Sequence, residues 1–123
     1  VEKMSDWEII VPGSLDKERL KEAAKARSIA KTCGLNDIQA EIIAQLTYLN
    51  PRWSYWYGIT LIFPIANGIR LYSSKGGVEI DIIYNEALDF YFIKAYKDGQ
   101  VIKSYNEITW DQLEEIIKDI VIS

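Results

Sequence analysis

Three carboxylates, Glu79, Asp81 and Asp89, fall in a stretch where apolar and polar residues alternate. Period-two alternation puts every second side chain on one face of a sheet, so the three are expected to share a face. Together they could hold a hard cation through oxygen donors, or work as an acid and base pair. The same pattern supports a plainer reading: Arg70 lies across from Asp81, and the carboxylates keep an antiparallel face solvated. Lys94, the basic residue a nuclease-like acidic cluster would recruit, is expected on the opposite face. Ser73-Ser74-Lys75-Gly76-Gly77 has the composition of a phosphate cradle. It lacks the Gly-x-x-x-x-Gly-Lys spacing and leads into a strand where a phosphate loop leads into a helix, so it reads as a hairpin turn.

The 123 residues include no histidine and a single cysteine, Cys33. Imidazole acid-base chemistry and Cys-His nucleophile pairs are therefore excluded, and so is an internal disulfide. With only oxygen donors and one thiol, no transition-metal site and no cofactor are expected. No catalytic residue can be assigned, and an enzyme is not the expected reading. Cys33 falls at the expected end of a helix, where the dipole opposes a thiolate.

Hydrophobic residues make up 49% and charged residues 26% of the chain, the balance of a globular fold well away from disorder. No apolar run approaches the roughly 18 residues of a membrane span. The chain opens without a basic stretch followed by an apolar one, and one cysteine fits a reducing compartment, so a cytoplasmic location is expected. A net charge of -4 argues against nucleic acid as a partner. The local exception is the first helical stretch, where Lys17, Lys21, Lys25 and Arg27 could contact phosphate or an acidic protein, or simply face water.

The elements that must position these groups form one domain over residues 1–123. Trp7–Val11 reads as a short strand stopped by Pro12-Gly13. Ser14 offers an N-cap to a helix over 15–33, and Gly34 its left-handed end. Asn36 and Gln39 stand at capping-box spacing before a second helix over 37–49, which Pro51 ends. Strands follow at about 55–65, 69–73, 78–84, 88–96 and 101–105, joined by turns at Asn67-Gly68, Ser74–Gly77, Asn85–Ala87 and Asp98-Gly99. Thr109 and Gln112 cap a last helix over 110–121. The expected fold is α+β: a five- or six-stranded, mainly antiparallel meander with two N-terminal helices and one C-terminal helix, packed chiefly on one face.

Pairing Ser73 with Val78 sets Leu71 against Ile80 and Ile69 against Ile82. A three-residue turn at Asn85–Ala87 would then bring Phe90 and Phe92 onto the same core face. The other face would hold Arg70, Tyr72, Glu79, Asp81, Ile83, Asp89, Tyr91 and Ile93, more apolar than a face meant only for water. In the run Arg52-Trp53-Ser54-Tyr55-Trp56-Tyr57, a strand would turn Trp56 away from Trp53, Tyr55 and Tyr57. Trp56, Arg70, Tyr72, Glu79, Asp81, Asp89 and Tyr91 are accordingly the expected binding residues, with aromatic anchors and carboxylates that set orientation.

The order of strand, two helices, antiparallel strands and C-terminal helix resembles the helix-grip ligand-binding folds in topology. That resemblance implies a pocket between sheet and helices, although this chain is one strand short and its last helix is short. The function expected first is a small non-enzymatic binding protein of the inhibitor, immunity or regulatory kind, engaging a protein partner or a second copy of itself. The alternatives are a small-molecule carrier or sensor with a pocket of Tyr and Trp, and a nucleic-acid-associated protein using the basic first helix.

Overall fold

A computed structural model of the chain describes residues 16–122. The strand expected at Trp7–Val11 and the cap expected at Ser14 lie outside these residues. Helix α1 spans Lys17–Thr32 and is capped by Asp16, whose Oδ1 accepts from the backbone N–H of Glu18 at 2.9 Å and of Arg19 at 3.3 Å. Aspartate satisfies free first-turn donors as a serine would. Gly34, at φ +97°, turns the chain out of the helix, a conformation that costs glycine little.

Helix α2 spans Asp37–Leu49, with the Asn36 and Gln39 capping box formed on both sides. It is buried on nearly every side: Ile42 and Leu46 face the sheet, while Ala44 and Tyr48 pack with Ala23 of α1. The layers therefore run sheet, α2, α1. A helix buried this way must satisfy its polar side chains internally, and α2 does so. Glu41 takes Arg27 at 2.7 and 3.1 Å, Gln45 accepts the Tyr91 hydroxyl at 2.5 Å, and Gln39 donates to the Ile65 carbonyl at 2.9 Å.

The strand expected from residue 55 begins later. Trp53–Trp56 instead forms one helical turn, α3. This buries Trp53 and Tyr57, four residues apart on one side, and leaves Tyr55 and Trp56 exposed. The aromatic run follows helical spacing, so the expected division of Trp56 from Trp53, Tyr55 and Tyr57 across a sheet is corrected.

Five antiparallel strands follow in meander order: β1 Ile59–Ile65, β2 Gly68–Ser73, β3 Val78–Asn85, β4 Phe90–Lys97 and β5 Gln100–Ile108. Thr109 and Gln112 close a capping box over a 3-10 turn that leads into α4, Leu113–Ile122. Leu113, Ile117 and Ile120 of α4 complete the core on the α2 side of the sheet. The class is α+β, as the residue pattern led one to expect.

The β2–β3 register matches expectation, with Leu71 against Ile80 and Arg70 against Asp81. The β3–β4 register does not. Four residues, Glu86–Asp89, make the turn, so Asn85 pairs with Phe90 and Ile82 pairs with Ile93. Ile82 was expected opposite Phe90, an odd displacement that exchanges the two faces of β4. Tyr91, Ile93 and Ala95 enter the core, whereas Phe92, Lys94 and Tyr96 turn outward.

Candidate functional site

The face of the sheet turned away from the helices is the candidate site. Two rows of side chains cross all five strands on it. One runs Leu61, Tyr72, Glu79, Tyr96, Val101, and its neighbour runs Phe63, Arg70, Asp81, Lys94, Ser104. Ile83 and Phe92 continue it toward the β3–β4 turn. Aromatic and aliphatic groups thus surround a charged centre.

That centre is the pair Arg70–Asp81, joined by two parallel bonds of 2.6 and 2.8 Å. Asp81 is only 5% exposed although it lies on the open face, because the guanidinium and its neighbours cover it. The fork-on-carboxylate geometry is the strongest form of such a pair. The neighbouring carboxylate raises the Arg70 pKa further above its ordinary value, and the guanidinium also lies 5.7 Å from the centre of the Tyr96 ring. Asp81 is therefore committed to holding Arg70. Lys94 stands directly across from Asp81, correcting the expectation that it points to the other face.

Asp89 does not join this cluster. It occupies the β3–β4 turn at φ +57°, and the Tyr84 hydroxyl donates to its carboxylate. The expected triad of carboxylates is thus reduced to Glu79 beside a neutralised Asp81. Among the described residues, no cluster of three or more acidic or cysteine side chains is placed to hold a metal ion.

Tyr91, expected on the open face, is a core residue at 2% exposure. Burial, first of all, pushes its hydroxyl pKa well up. Trp56 is exposed at the end of α3, outside the strand pairings that form the rows, and its carbonyl accepts from Lys75 Nζ at 2.5 Å. Arg70, Tyr72, Glu79 and Asp81 are the expected residues that do come together. Tyr96, Phe63, Leu61 and Phe92 were missed. Their signal was present in the alternation, but a turn one residue too short hid it for β4.

The glycine-rich loop Ser74–Gly77 clasps the chain between α3 and β1. Ser73 Oγ donates to the Tyr57 carbonyl at 2.6 Å, and Ser74 Oγ to the Gly58 carbonyl at 3.2 Å. These hydroxyls hold backbone, which is a turn's use of them. On α1, Arg27 pairs with Glu41, Lys31 with Asp37 and Lys21 with Glu18, so half the basic residues of that helix face carboxylates of the chain itself. Among the described residues no helix is long and apolar enough to cross a membrane. Compared with protein-family models, with curated proteins and with solved structures, the chain matches none of them.

Proposed function

We propose that the protein binds a folded protein partner through the open face of its sheet, as an inhibitor, immunity or regulatory protein, and performs no catalysis. One observation carries this reading: on the face turned away from the described helices, exposed Leu61 and Phe63 and half-buried Tyr72 and Tyr96 surround the neutralised Arg70–Asp81 pair. Aromatic side chains with an arginine, ringed by polar groups, are the composition of interface centres. Glu79 and Lys94 at the margins would steer and orient the partner.

The alternatives draw less support. A carrier needs an enclosed pocket, and the space between α2 and the sheet is filled by fully buried Ile42, Leu46, Leu71, Ile80, Ile82 and Ile93. A nucleic-acid role needs available positive charge, and half of that on α1 faces carboxylates. A cytoplasmic setting fits Cys33, which is a free, exposed thiol.

The test is a capture experiment on the full chain compared with Tyr72→Ala and Tyr96→Ala, each checked for folding by circular dichroism. A partner bound by wild type should bind each variant roughly tenfold more weakly or worse, and hydrogen exchange should show β2–β4 protected in the complex. A partner that binds both variants unchanged, or protects only the helices, would overturn the reading.

A further inference from the structure

Tyr72, Glu79 and Tyr96 stand side by side across β2, β3 and β4 on the open face, with Glu79 paired to Tyr72 on one flank and to Tyr96 on the other. Directly opposed residues on neighbouring strands hold their Cβ atoms roughly 5 Å apart, so the carboxylate is set between two rings. All three residues are half-buried. Leu61 of β1, 51% exposed, continues the row beyond Tyr72. The next row shows what such groups hold: the Arg70 guanidinium forks onto Asp81 at 2.6 and 2.8 Å and lies 5.7 Å from the centre of the Tyr96 ring.

We infer that Tyr72 and Glu79 form a receptor for an arginine side chain of the protein partner, its guanidinium plane on the Tyr72 ring and its fork on the Glu79 carboxylate. This deepens the proposed binding role of the open face and rests on it. The chain's own Arg70 engages one carboxylate and one ring of this face, and Glu79 with Tyr72 offers the same two groups to an incoming residue. Arginine fits better than lysine. Its plane stacks on an aromatic ring while its paired N–H groups meet both oxygens of a carboxylate, and an ammonium has no such plane. Leu61 beside Tyr72 gives the methylenes of the arginine an apolar surface to lie on.

Charge selects a cation. Of the two acids in these rows, Asp81 is neutralised by Arg70, which leaves Glu79 to attract. The whole chain carries a net charge of -4, so its field draws a basic partner and repels an acidic one. An ion pair in open water is worth little, whereas one shielded by the rings and by the partner's own surface is screened less. Lys94 is exposed and stands across from Asp81, diagonal to Glu79, so the test must separate it from an incoming arginine.

NMR titration of the full chain with N-acetyl-arginine N-methylamide, against the uncharged norleucine analogue, reads this site directly. Wild type should give saturable shifts at Tyr72 and Glu79 with the arginine probe, in the millimolar range, and none with norleucine. That comparison stands whether or not a variant folds. Glu79→Gln, which keeps the side-chain shape and is checked by circular dichroism, should weaken the arginine response roughly tenfold or more, and Tyr72→Phe, which keeps the ring, should retain it. Equal shifts with norleucine, no arginine response, or a response unchanged by Glu79→Gln overturns the inference. So does a response that emerges only in Lys94→Ala, because the chain's own lysine then holds the carboxylate. In capture of the partner, Glu79→Gln should weaken binding roughly tenfold and flatten its dependence on salt. Binding that Tyr72→Ala weakens and Glu79→Gln leaves unchanged overturns the arginine receptor while the open face keeps its role. Binding that neither substitution changes overturns both.

Discussion

The two edges of the sheet are built on opposite plans. On β5, Lys103 and Glu107 place charge along the strand, and the register with β4 breaks twice, between Tyr91 and Ile93 and between Ala95 and Tyr96. Lys103 Nζ and the Tyr105 hydroxyl both donate to Asp119 of α4, at 3.1 and 2.6 Å, which ties the strand to a helix. Charges and bulges along an edge, and a helix fastened to it, are the usual defences against unwanted pairing. On β1 the defences are fewer: one irregularity between Ile59 and Leu61, and Pro64. Among the described residues, Leu61 and Phe63 stay about half exposed. The contrast teaches that, among the described residues, charge, bulges and a helix guard the last edge more heavily than the first, although both are equally peripheral in the meander.

The largest effect should come from severing β1 from the sheet, since β2 is its only strand neighbour among the described residues. A Cβ added at Gly68, the first residue of β2, would lie 2.0 Å from the Ile82 carbonyl oxygen of β3. Backbone cannot yield that much without parting the strands. Gly68→Ala should cost about 3 kcal/mol in urea unfolding, with β1 amides losing hydrogen-exchange protection before those of β5. Unchanged stability would show that β1 is held by something other than its hairpin.

An intermediate effect separates the edges by pH. Burial, and then the bond to Asp119, push the Tyr105 hydroxyl up to about 12. Its neutral form is therefore favoured in the folded state, so its contribution is complete below pH 10 and is lost as pH rises from 10 toward 12. Asp119 is held below its ordinary value of 3.8 by Tyr105 first and Lys103 second. Its contribution is present above that value and is lost as pH falls through the lowered one. NMR resonances of β5 should shift in both ranges, while those of β1, which contains no titratable group, stay still. Movement of both edges together would remove the distinction.

The smallest effect concerns whether charge alone guards β5. Lys103→Val removes one guard and leaves both bulges, so sedimentation should show no new association, with stability changed by about 0.5 kcal/mol or less. New association in that variant would show that the lysine was the whole defence.

The helices were legible because their ends are governed by neighbouring residues. Asn36 with Gln39, Gly34 and Pro51 each act within one turn of chain, and α2 runs where those residues require. The Arg70–Asp81 pair was legible for a similar reason: Ser74–Gly77 fixes the β2–β3 register locally. The faces of β4 were not. Asn85–Ala87 permits a turn of either length, and the choice of four residues is tied to burying Tyr91 against Gln45 and Tyr84 against the same core. Each extra or missing residue reverses a strand, so a small local ambiguity decided whether Tyr91 or Tyr96 reached the open face.

Composition alone excluded imidazole chemistry and an internal disulfide, and local interactions, caps and short turns acting over a few residues, determined the α+β class and the order of the elements. Tertiary packing decided that Trp53–Trp56 coils to bury Trp53 and Tyr57, that α2 is enclosed between α1 and the sheet, and which side chains of β4 enter the core. Those outcomes depend on which apolar surfaces residues distant in the chain can cover, and a side chain's own sequence neighbourhood does not contain that information.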